Sequence, residues 1–142
     1  MLRAIVEKLS AYFNVEVKRA IVNLYKDGRD YVSFHHDQHV YAGNDYMTIG
    51  ASFGFERNLD FLHVGETGFV RSHRLEERTG HHYKGNKQRF SIPQLNGDVF
   101  AFTSTMNRTF MHSVPIVTDR KCGPRYSIII WGKLKGSAPM KP

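Results

Sequence analysis

The 142 residues and 16.4 kDa suit one domain with a single core. With 41% apolar and 23% charged residues the composition is globular, which excludes disorder as the main state. One cysteine, Cys122, excludes an intrachain disulfide framework and any multi-cysteine zinc or iron–sulfur site.

The chain opens on a helical pattern. Leu2, Ile5, Val6, Leu9, Tyr12 and Phe13 recur at helical spacing, with Arg3, Glu7, Lys8 and Ser10 on the other side. Those charges also break any signal-peptide core, and the late apolar run 128–131 is far too short to span a bilayer. The expectation is a soluble intracellular protein, cytoplasmic or nuclear, without a membrane partner. After Asn14 the pattern changes to short runs rich in Val, Ile, Phe, Tyr and Thr. Strands are expected near 20–25, 31–36, 46–53, 59–63, 89–92, 98–103, 109–114 and 125–131. Turn residues such as Asn96-Gly97-Asp98 and Gly123-Pro124 separate them. One helix and about eight strands predict a mainly β domain over 1–142, a small sandwich or jelly roll.

The charge is uneven. Lys plus Arg is 20 against 13 Asp plus Glu, a net of +7; residues 1–65 carry −1 and residues 66–142 carry +8. The densest basic stretch holds Arg71, Arg74, Arg78, Lys84, Lys87 and Arg89, in a long loop-like segment at about 65–89. Such a patch points to a polyanionic partner, nucleic acid first. His73, His81 and His82 lie in the same stretch, with no element to fix their spacing for a second metal.

His35-His36-Asp37 ends a predicted strand. In extended chain, residues i and i+2 share a face, so His35 and Asp37 point one way and His36 the other. A neutral imidazole and a carboxylate on one face supply two metal ligands; a distant histidine would complete a two-histidine, one-carboxylate triad that leaves positions open on Fe(II). His112, in a late strand closed by Pro115, is the candidate. Arg125 follows thirteen residues later and opens a strand whose alternation puts Arg125, Ser127, Ile129 and Trp131 on one face. An inward arginine is costly to bury unless it meets an anion, and a carboxylate suits its fork.

At this point the sequence resembles the AlkB-like Fe(II)- and 2-oxoglutarate-dependent dioxygenases. The likeness runs from about Asn23 to Trp131 and rests on ordered pieces: Asn23-Leu24-Tyr25, His35-His36-Asp37, the pair 49–54 and 57–63, Gly97-Asp98, His112-Ser113-Val114-Pro115 and Arg125-Tyr126-Ser127. The resemblance implies a double-stranded β-helix, or jelly roll, carrying one basic insertion at about 65–89. It implies that His35, Asp37 and His112 hold Fe(II), that Arg125 pairs with the distal carboxylate of 2-oxoglutarate, and that Asn23, Tyr25 and Ser127 hydrogen-bond the same cosubstrate. It further implies O₂-dependent oxidation of an N-methyl group on a DNA or RNA base, releasing formaldehyde, succinate and CO₂, as in repair of alkylated nucleic acid.

The sequence departs from the family in three places. Trp131 stands where a second arginine is usual, Gln38 and His39 follow the His-x-Asp instead of an acid, and the N-terminal recognition region is short. Gln38, Tyr46, Arg57 and Trp131 are the candidate substrate residues, with Tyr41 and Phe69 as further stacking candidates. Two other readings are open. One is the same oxygenase chemistry on a protein or small-molecule substrate; the other is a non-catalytic basic jelly roll that binds nucleic acid. A protein partner is not indicated either way.

Overall fold

A computed structural model describes residues 1–41, 43–64, 88–119 and 121–136. The basic stretch expected at 65–89, apart from Gln88 and Arg89, lies outside the described residues, as do Phe69 and the side chain of Tyr41.

Helix α1 (Leu2–Tyr12) forms where the helical spacing predicts it. Ile5, Val6, Leu9 and Phe13 bury against Val15, Ile49, Ala51, Ile128 and Ile130. Tyr12 and Leu2 do not join that stripe: they are 83% and 47% exposed. Tyr12 instead meets the ring of Phe13 edge-on at 5.0 Å. The chain leaves the helix through Asn14 at φ 51°, a left-handed conformation that asparagine tolerates better than most residues.

Eight strands follow: β1 (Val15–Tyr25), β2 (Val32–His35), β3 (Tyr46–Gly54), β4 (Arg57–His63), β5 (Arg89–Gln94), β6 (Val99–Thr103), β7 (Phe110–Val114) and β8 (Arg125–Leu134). They make two four-stranded antiparallel sheets, ordered β1-β8-β3-β6 and β2-β7-β4-β5. This is the expected jelly roll, mainly β with one N-terminal helix. The first sheet is covered outside by α1. Inside, Tyr25, Leu59, Phe61, Phe102 and Val114 form a second cluster between the sheets.

Two features differ from the expectation. Strand β1 begins at Val15, five residues early, because a bulge sits in its first half. Val17 pairs with Gly132 and Arg19 with Trp131, so Lys18 is extra. Val15 and Val17 therefore pack under α1, whereas Arg19, Ile21, Asn23 and Tyr25 face the interior cavity. A bulge flips the alternation in this way and re-aims side chains. The second difference is a short helix, α2 (Ser104–Thr109), inserted between β6 and β7. Its sequence Ser-Thr-Met-Asn-Arg-Thr has one apolar residue and too few turns to show a period.

β3 needs a glycine mid-strand. A Cβ on Gly50 would run into the ring of Phe100 on the neighbouring strand β6, so that ring lies flat across the strand and forms part of the cavity wall.

Candidate active site

A cavity of about 740 Å³ lies between the sheets. Strands β1 and β2, the end strands of their sheets, both line it. Along β1 and β8 its wall is a series of cross-strand pairs: Tyr25 with Arg125, Asn23 with Ser127, Ile21 with Ile129, Arg19 with Trp131. Burial falls along β1 from Tyr25, which is buried, through Asn23 and Ile21, which are half-buried, to Arg19, which is exposed. The cavity thus has a closed end at Arg125 and an open end at Arg19.

His35, Asp37 and His112 converge inside it. Their ligand atoms all lie within 4.8 Å of one another. Asp37 Oδ1 is 3.8 Å from His35 Nε2 and 3.6 Å from His112 Nε2. The two imidazoles are 4.3 Å apart between ring centres. The reason is register: β2 pairs with β7 so that His35 and His112 are cross-strand partners, and Asp37 follows His35 by two residues. His36 points away as expected, with Nδ1 against the carbonyl of Asn107.

The donor set fits a divalent iron. His35 Nδ1–H donates to Ser33 O at 2.8 Å, leaving the Nε2 lone pair facing the triad. Burial, and then the charge of nearby His112, pull the His35 pKa down to about 4. It is therefore neutral, as a ligand must be, across the physiological range. Burial alone would raise the Asp37 carboxyl, but the Coulombic and hydrogen-bonding pull of His112, aided by Thr48 and His35, holds it below the usual carboxylate range.

Asp37 is held from two sides. Asn107 on α2 grips its backbone: Asp37 N–H donates to Asn107 Oδ1 at 2.9 Å, and Asn107 Nδ2 donates to Asp37 O at 3.0 Å. On the carboxylate, Thr48 Oγ1 donates to Oδ2. The Thr48 hydroxyl has one proton and gives it to Asp37, so His39 Nε2–H is the donor to Thr48 Oγ1 at 2.6 Å. The chain His39–Thr48–Asp37 occupies Oδ2 and turns Oδ1 toward the histidines. Neither Thr48 nor Asn107 was foreseen. Thr48 had a signal: in β3, Tyr46, Thr48, Gly50 and Ser52 alternate with Met47, Ile49, Ala51 and Phe53. Asn107 had none.

At the closed end Arg125 is 2% exposed. Its Nε donates to Ser52 Oγ at 2.8 Å, and its guanidinium lies 5.1 Å from the ring centre of Tyr25. Its Nη1 is buried with no hydrogen-bond partner among the described residues. A buried guanidinium with an open arm is costly, and a carboxylate would satisfy it. Burial pushes the Tyr25 hydroxyl pKa up, against the pull of Arg125 and Arg57, so the phenol stays a neutral donor. Asn23 and Ser127, the next pair, also line the cavity. The four residues expected at a 2-oxoglutarate site therefore stand together at one end.

A family model described as the 2OG-Fe(II) oxygenase superfamily matches residues 1–129. The chain belongs to that superfamily. No curated protein matches it. The oxygenase uses Fe(II), 2-oxoglutarate and O₂, and His35, Asp37 and His112 are the residues that would hold the iron.

The four candidate substrate residues separate in the structure. Gln38 is exposed in the short 3-10 turn Gln38–Tyr41 and lines the cavity. Trp131 lines it too. Tyr46 and Arg57 do not. Tyr46 stacks on His39, with ring centres 6.0 Å apart. Arg57 is 1% exposed, and its guanidinium donates to the carbonyls of Asp27 (3.2 Å), Asp30 (2.8 Å) and Pro115 (2.6 Å). It pins the 27–30 turn to the end of β7 and is not free to meet a substrate. Arg89 is likewise committed, paired with Asp60 and set over the ring of Phe34. Cys122 is buried beside the turn, its Sγ 3.9 Å from Gly123 O.

Proposed function

We propose that this oxygenase removes methyl or other alkyl groups oxidatively from nucleic-acid bases. The observation that carries the chemistry is one cavity holding the His35–Asp37–His112 triad and, toward its closed end, the unpaired arm of buried Arg125. The bound iron, with 2-oxoglutarate and O₂, would supply the oxidising power for hydroxylating a C–H bond. The chain's own residues do the positioning. Arg125, Tyr25, Asn23 and Ser127 would hold the cosubstrate's distal end, and the His39–Thr48–Asp37 chain fixes the acid ligand. The apolar side chains of Ile21 and Ile129 keep water from the middle of the wall.

The charge supports a nucleic-acid substrate. The net is +7, and the cavity's open end carries Arg19 and Trp131, a cation beside an aromatic surface. The apolar stretch Ile21, Ile129 and Trp131 favours the second reading, in which the same chemistry acts on a protein side chain or small molecule. The test is demethylation of a 1-methyladenine-bearing single-stranded oligonucleotide with Fe(II) and 2-oxoglutarate. Formaldehyde matched to succinate, falling steeply with salt, supports the proposal. Succinate formation that no methylated oligonucleotide stimulates, but a methylated peptide does, overturns it.

A further inference from the structure

The Arg19–Trp131 pair is not accounted for by iron or cosubstrate binding. The guanidinium lies 5.3 Å from the centre of the Trp131 ring. It is exposed, and it makes no ion pair or hydrogen bond with any described residue. Trp131 Nε1 is buried and also lacks an acceptor among the described residues. An exposed guanidinium without an acceptor, set over an aromatic ring at the open end of a cavity that both residues line, defines a place for an oxygen-rich anion.

Two further observations make this a built feature. The bulge at Lys18 is what turns Arg19 inward. Without it Arg19 would share a face with Val17, under α1. The pair is also level with the metal ligands. Trp131 is the cross-strand partner of Thr48 on β3, and Thr48 holds Asp37. Arg125, by contrast, pairs with Tyr25, six residues further along β1 from Arg19, about 20 Å at strand rise. Arg125 and Arg19 therefore belong to opposite ends of the β1–β8 wall.

We infer that Arg19 and Trp131 form an oxyanion subsite for the prime substrate, taking a phosphate next to the base that enters the cavity. The inference rests on reading the cavity as the oxygenase's substrate chamber. It gives the chain, through β1, a cation at the position where the terminal strand carries tryptophan. Specificity then depends on phosphate on the substrate: a free base or nucleoside would lack the group that Arg19 holds.

Trp131 is the only tryptophan in the sequence, so its fluorescence reports on this place alone. The experiment titrates the metal-free and cosubstrate-free protein with inorganic phosphate, thymidine monophosphate and thymidine. Saturable changes with the two phosphates and none with thymidine are expected. Arg19→Gln should weaken the monophosphate about tenfold or more, Arg19→Lys should restore part of it, and Lys8→Gln on α1 should match the parent. The inference is overturned if Arg19→Gln titrates like the parent, or if thymidine acts as well as its monophosphate. It is also overturned if 2-oxoglutarate alone gives the same Arg19-dependent change, since the anion would then be the cosubstrate. No iron or turnover enters this readout, so failure of the oxygenase reading and failure of the subsite are seen separately.

Discussion

Asn107 offers the sharpest test of how the acid ligand is held. Asn107→Ala removes both side-chain hydrogen bonds to the backbone of Asp37, of 2.9 and 3.0 Å. Asn107 is 1% exposed and Asp37 4%, so an N–H and a C=O are left unpaired away from water. Each unpaired buried group costs about 1–3 kcal/mol, giving a loss of about 2–6 kcal/mol. The contact from His36 goes to the Asn107 carbonyl and survives the change, so α2 stays anchored while the grip on Asp37 is lost. The metal site should feel this as well: loss of a group that orients a ligand weakens metal binding roughly 10–100-fold. Urea unfolding of the metal-free protein and a Co(II) absorption titration measure the two effects. A variant within about 0.5 kcal/mol of the parent, with unchanged Co(II) affinity, would refute the reasoning.

Three other outcomes follow from the same geometry. Thr48→Val removes the hydroxyl that occupies Asp37 Oδ2; Co(II) affinity should fall roughly tenfold or more, and Thr48→Ser should recover most of it. Arg125→Gln removes the charge from a group whose Nη1 has no partner; equilibrium binding of 2-oxoglutarate should weaken at least about tenfold, with folding retained because no ion pair among the described residues is broken. The metal-free protein should lose stability as pH falls from 6.5 toward about 4. His35 has its pKa lowered to about 4 from 6.5, so the unfolded chain binds the proton first. Its contribution is whole above pH 6.5 and declines below it, by up to about 1.4 kcal/mol per pH unit. Urea midpoints across that window check this, and His35→Gln should flatten the slope.

The parts of the fold legible in the sequence were those with a period. Strands β2 to β8 show as apolar runs between turn residues, and α1 as a helical stripe. The start of β1 was hidden because the bulge at Lys18 breaks the alternation that would have extended the strand back from Ala20. Helix α2 was hidden because six mostly polar residues carry no apolar face. The site divides the same way. His35 and Asp37 were readable from i, i+2 spacing, and Arg125 from a charge on the inner face of an apolar strand. His112 needed the order of the other pieces, since only sheet register makes it the partner of His35. Asn107 acts across 70 residues of sequence and nothing local marks it; Thr48 acts across 11, and the alternation of β3 marks only the face it shares, not its partner. Arg57 misled because an arginine at the start of a strand does not reveal that three backbone carbonyls already hold it.

The central claim is that His35, Asp37 and His112 form the iron centre of a working oxygenase. It is tested most directly by succinate formation from 2-oxoglutarate with Fe(II) and ascorbate under air, comparing the parent with Asp37→Ala. No prime substrate is needed, because slow uncoupled turnover is expected. The account predicts succinate from the parent and none above background from Asp37→Ala, with both proteins folded. Equal succinate from the two proteins, or none from a parent shown to bind both iron and 2-oxoglutarate, would contradict it.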